Sequence, residues 1–93
     1  MDHLHKEALA FQKRVNDRID DNSHHIAQKL KQEVQRLEDE IQVKKNPITV
    51  ENRVKVVIEL LEEAGEHEVI SHHHVQQLAR ECEEFQEELR KMR

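Results

Sequence analysis

The eight residues Ile19-Asp20-Asp21-Asn22-Ser23-His24-His25-Ile26 decide what this chain can fold into. On both sides of them, apolar residues recur at helical spacing. Leu4, Ala8, Phe11, Val15 and Ile19 come before, and Ile26, Leu30, Val34, Leu37 and Ile41 after. Each set moves in steps of three and four, which places its members on one face of a helix. Ile26 lies seven residues after Ile19, so the two stripes are nearly in phase and a single helix over 3–45 is permitted. Against that stand Asp20, Asp21, Asn22 and Ser23, whose short polar side chains compete for backbone hydrogen bonds and favour caps over helix interiors.

Further along, Lys44-Lys45 put positive charge where a helix C-terminus is negative, and Asn46-Pro47 follows with a residue that cannot continue the helix. Beyond it Val50, Val54, Val57, Ile58, Leu61 and Ala64 repeat at helical spacing, while Val56 and Leu60 widen the stripe. This segment is apolar around most of its circumference and is expected to be the most buried helix. Gly65 reads as a C′ glycine, residues 66–70 (EHEVI) as a short connection and Ser71 as the next N-cap. The last segment carries Val75, Leu78, Cys82, Phe85, Leu89 and Met92 in alternating steps of three and four, the a/d seam of a coiled coil.

Segment lengths decide between the possible architectures. With a break at residues 20–23 the helices have about 18, 22, 16 and 22 residues, similar enough to cover one another. An unbroken first helix would extend about 63 Å, and the short third segment could cover only part of its stripe. The expectation is an all-α, compact antiparallel four-helix bundle forming one domain over 1–93, with helices about 3–20, 24–45, 48–64 and 71–92. The alternatives are an elongated three-helix bundle and a dimer of helical hairpins.

Composition narrows the function classes. Ninety-three residues support one domain, which buries roughly two-thirds of its unfolded surface. Charged residues make up 38% and the net charge is −5, concentrated in 48–70, where Arg53 and Lys55 face Glu51, Glu59, Glu62, Glu63, Glu66 and Glu68. No segment is strongly basic, so neither nucleic acid nor an anionic membrane is expected as a partner. One glycine leaves no material for a phosphate cradle, which argues against nucleotide-dependent enzymology. A lone Cys82 cannot form an intrachain disulfide, no run approaches a membrane span, and MDHLHKEALAF lacks the pattern of a signal peptide. A soluble, cytoplasmic protein is expected.

Eight histidines are the one compositional feature with chemical potential: His3, His5, His24, His25, His67, His72, His73 and His74. In an up-down-up-down bundle, the second and fourth helices start at the same end, so His24, His25, His72, His73 and His74 would gather there. Such a cluster could bind Zn²⁺ or respond to mild acid. Yet no two histidines are three or four residues apart; the nearest one-turn pairs are mixed, His3/Glu7 and Glu68/His72. Adjacent histidines point about 100° apart on a helix, so solvated polar residues in a first turn explain the triplet better. Cys82 sits on the seam between Leu78 and Phe85, where burial makes a thiol inert. No catalytic, cofactor-binding or metal-ligating residue is assigned, and the chain is not expected to be an enzyme.

From Ala64 onward, AGEHEVISHHHVQQLARECEEFQEELRKMR resembles the end of one spectrin-repeat helix, its turn and the following helix, with Leu78, Cys82, Phe85 and Leu89 where that family places its core. That resemblance implies a spacer or adaptor module without catalysis, in the elongated three-helix form. The chain as a whole resembles a de novo designed helical bundle, assembled from pieces of natural helices. This second resemblance implies a scaffold whose sequence specifies a fold and carries no natural biochemical activity, which is the expectation, with the spectrin-like structural or protein-interaction module as the alternative. No cofactor and no obligatory partner is expected under either. The chain is expected to be a monomer, with homodimerisation through exposed heptad faces as the alternative.

Overall fold

Each stripe becomes one helix. The computed structural model describes residues 2–93, which form α1 (Asp2–Arg18), α2 (His25–Gln42), α3 (Pro47–Glu66) and α4 (His72–Lys91). The chain breaks between Arg18 and His25, so the four-helix reading holds and the elongated three-helix form does not. Sequence neighbours pack side by side, α3 with α4 most broadly, and the narrower α1–α4 seam closes the ring. The helices fit within 35 × 19 × 18 Å. A radius of gyration of 12.4 Å matches the value of about 12 Å for a folded domain of this length.

The break is built by two side chains. Asp21 accepts hydrogen bonds from the Ser23 amide (3.2 Å) and hydroxyl (2.8 Å), closing an Asx turn. His24 then caps α2, its Nδ1 accepting from the Ile26 amide at 3.1 Å. At the other junction the Asn46 side chain accepts from the Ile48 amide at 2.8 Å and Pro47 opens α3, where its missing N–H costs nothing.

One core runs through the bundle. α1 contributes Leu4, Ala8, Phe11, Val15 and Ile19, and α2 adds Ile26, Ala27, Leu30, Val34, Leu37 and Ile41. α3 brings Val50, Val54, Val57, Leu60, Leu61 and Ala64, with Val56 and Ile58 packed at its margin. From α4 come Val75, Leu78, Cys82, Phe85 and Leu89. Phe11 and Phe85 meet edge to face across the α1–α4 seam, their centroids 5.6 Å apart. Each large side chain buried this way contributes about 1.5–3 kcal/mol. Met92, expected on the seam, is instead 40% exposed; it lies just past the last helical residue of α4, Lys91.

The end of α3 differs from the sequence reading. Gly65 is not a C′ residue; it lies inside the helix without a positive φ, and α3 continues to Glu66. Its role is close approach. A Cβ there would stand 3.2 Å from Val75 Cγ2, so the missing side chain lets the start of α4 sit against α3. The left-handed position falls on Glu68, φ 59°. The Glu68 amide donates to the Gly65 carbonyl at 3.1 Å and the Val69 amide to the Ala64 carbonyl at 2.8 Å, a Schellman closure. Lys44, also at φ 59°, closes α2 in the same way through Lys44 N–H to Ile41 and Lys45 N–H to Glu40. The connection after α3 is part of the core: Val69 and Ile70 are fully buried, and the Val69 carbonyl accepts from the Asp20 amide at 2.8 Å.

A non-glycine residue in the left-handed region is strained by about 1 kcal/mol or slightly more. Glu68→Gly is expected to stabilise the fold by about 0.5–1 kcal/mol, raising the thermal midpoint by roughly 2–8 °C in a calorimetric scan. An unchanged or lower midpoint would show that this strain is not a stability cost.

Candidate functional site

The histidine-rich end of the bundle holds the side chains with the most chemical potential in the sequence. It is formed by the α1–α2 and α3–α4 connections, tied by the Asp20–Val69 hydrogen bond. The structure sorts the histidines differently from the sequence reading. The His24 and His25 rings stack at 4.7 Å, and His67, from the C-cap of α3, lies 5.4 Å from His24. His73 and His74 lie 5.4 Å from each other in the first turn of α4. Among the described residues no close ring pair joins the two sets. His67 was left out of the expected cluster because residues 66–70 read as a generic connection. Only the Schellman closure, which turns the chain back toward α2, brings it beside His24.

Most of these imidazoles have a local partner. His24 Nδ1 is committed to the α2 cap. The Ser71 hydroxyl, at the N-cap of α4, pairs with His74 Nδ1 at 3.0 Å and makes no side-chain bond to the backbone. The expected His3/Glu7 pair is present at 3.1 Å but stands in solvent. His5 reaches Glu38 of α2 at 3.0 Å, a contact between helices that one-turn spacing could not reveal. The other mixed pair is corrected: Glu68 lies outside both helices, so it and His72 are not one helical turn apart. Both instead line an open cleft of about 370 Å³ with Asp20, Gly65, Ile70 and Ser71. Among the described residues no group of three or more His, Cys, Asp or Glu is placed to hold a metal ion.

Elsewhere the ionisable side chains join helices. Arg14 of α1 makes a forked contact with Glu81 of α4, its Nε 2.9 Å from Oε1, beside a smaller cleft of about 100 Å³ lined also by Glu7, Glu84 and Phe85. Arg53 of α3 donates to Glu33 (2.5 Å) and Glu40 (3.3 Å) of α2. Hydrogen bonds to Glu40 and Glu33 hold its guanidinium above its already high ordinary pKa. Glu51, 7% exposed, faces Arg90 and Arg93 at the end of α4, at 3.7 and 3.4 Å. Glu40 Oε1, Glu51 Oε2 and Arg53 Nε are buried without a hydrogen bond, so these joints are incompletely satisfied.

Cys82 is fully buried, and desolvation, reinforced by the charges of Glu81 and Glu83, pushes its thiol far above the ordinary cysteine range. Thiolate chemistry is therefore suppressed in the folded protein. No protein-family model, curated protein or solved structure matches this chain.

Cys82 is expected to resist a water-soluble disulfide reagent at neutral pH and to react fully in denaturant. Its native-state rate should follow the opening of the bundle, falling at least about a hundredfold below that of the unfolded chain. Rapid native labelling, followed by absorbance, would contradict the inert assignment.

Proposed function

We propose that the chain is a non-catalytic helical module with a structural or protein-interaction role, the class implied by the spectrin-like resemblance of residues 64–93. The observation that carries this reading is how its chemically capable side chains are employed. His24 caps a helix, His74 engages the Ser71 cap, and His5, Arg14, Arg53 and Glu51 join neighbouring helices. The apolar residues serve one shared core. Exposed Leu9, Val43, Ile48 and Met92 and the acidic outer residues Glu59, Glu62, Glu63 and Glu66 of α3 remain as material for contacts with other proteins.

A designed scaffold without natural activity is the second reading. It is favoured by the short connections between helices and by the Asn46 cap followed by Pro47 at the start of α3. Four details weigh toward a natural module. Left-handed positions are filled by Lys44 and Glu68, where an idealised backbone would use glycine. Buried polar atoms are left unpaired on Glu40, Glu51 and Arg53. An imidazole serves as an N-cap, and a free cysteine lies in the core.

Thermal unfolding by circular dichroism separates the two. A natural module is expected to melt cooperatively at about 45–65 °C, whereas a midpoint above about 90 °C would favour the designed scaffold. Light scattering should give the monomer mass of 11.1 kDa. Twice that mass would point instead to pairing through the heptad faces.

A further inference from the structure

We propose that the His24 cap is an acid-sensitive latch on the α1–α2 junction, intact when the imidazole is neutral and released when it takes up a proton. The latch depends on one atom. Nδ1 accepts the Ile26 amide hydrogen at 3.1 Å, which requires a lone pair there and assigns the neutral ring to the Nε2–H form. Protonation puts a hydrogen on Nδ1, so two donors face each other and the cap is lost. The new positive charge also lies at the N-terminus of α2, where the helix dipole opposes it.

The neighbours set the sign. The titratable groups beside the ring are Asp21 from the connection, His25 from α2 and His67 from the end of α3. A proton on the ring of His25 or His67 would repel one on His24, whose ring lies 4.7 and 5.4 Å from theirs. Asp21 attracts it. Hydrogen bonds from the Ser23 hydroxyl and amide hold the Asp21 carboxyl below its ordinary range, and it is fully solvent-exposed, where water and salt screen its charge. The capping hydrogen bond exists only in the folded state and only with a neutral ring. Its contribution is therefore present above the histidine range and lost as pH falls through it. The contribution of Asp21 itself would be lost only below its ordinary carboxylate value of 3.8. An acid effect between about pH 7.5 and about pH 5 therefore does not come from Asp21.

Release has a defined place in the fold. His24 follows directly on the Asx turn, and the same junction is tied through the Asp20 amide to the buried Val69 carbonyl. Losing the cap frays the first turn of α2 and loosens the end of the bundle where both connections meet.

The test is a pH titration of the ¹⁵N-labelled full chain between about pH 7.5 and about pH 5, paired with thermal unfolding of wild type and His24→Asn. Asn caps a helix through its carbonyl oxygen and does not titrate there. In the wild type, the Ile26 amide resonance should shift with the same midpoint as the His24 ring. The wild-type melting temperature should fall by roughly 4–8 °C relative to His24→Asn over this interval. An Ile26 amide that stays put while the ring titrates would overturn the latch, whether or not the variant folds. Parallel loss of stability in both proteins would overturn it as well.

Discussion

α3 places Val50, Val54, Val57, Leu60, Leu61 and Ala64 in the core and packs Val56 and Ile58 against its margin, so its apolar arc is too wide for one partner. Covering it takes a helix on each flank, and α2 and α4 provide the two broadest interfaces in the molecule. α1 then covers the faces of α2 and α4 that α3 leaves open. The arrangement of the whole bundle follows from burying that arc. It also explains why the chain turns at Asp20–His24: an extension of α1 into α2 would leave the stripe of α1 in water and one side of the bundle uncovered.

The polar architecture follows the same geometry. Carboxylates and guanidinium groups sit at the edges of the interfaces, where Arg53 spans to Glu33 and Glu40, Arg14 to Glu81, and Glu51 to Arg90 and Arg93. Contacts of this kind contribute little net stability when exposed and break even when buried, because desolvation offsets attraction. Their larger effect is on register, since each long side chain reaches its partner only when neighbouring helices are correctly aligned. The unpaired atoms on Glu40, Glu51 and Arg53 are a cost that the apolar core must outweigh.

Helix number, order and most core positions were legible because they rest on local rules. Apolar residues at three- and four-residue steps must share a face, Asn46-Pro47 cannot continue a helix, and four short polar residues at 20–23 destabilise a helix interior. The histidine-rich end was only half legible. Helix order brought His24 and His25 to the end that also holds His72, His73 and His74, but the ring that comes to His24 from the other connection is that of His67. His67 reaches it because α3 runs on past Gly65 and closes through a left-handed Glu68. Sequence rules place glycine at such a position; here burial of Val69 and Ile70 dictates where the chain must turn, and Glu68 adopts the strained backbone.

The sequence by itself determined four amphipathic segments, their approximate limits and the inertness of a cysteine on a heptad seam, because these depend on spacing and residue chemistry within a few turns of chain. The tertiary structure alone decided what lies across each interface. It placed Gly65 against Val75, buried Val69 and Ile70, paired His5 with Glu38, and set His24 beside His67 while its Nδ1 caps α2. These are contacts between residues remote in sequence or consequences of the turns those contacts impose. Their energies depend on distances that exist only once the helices have packed.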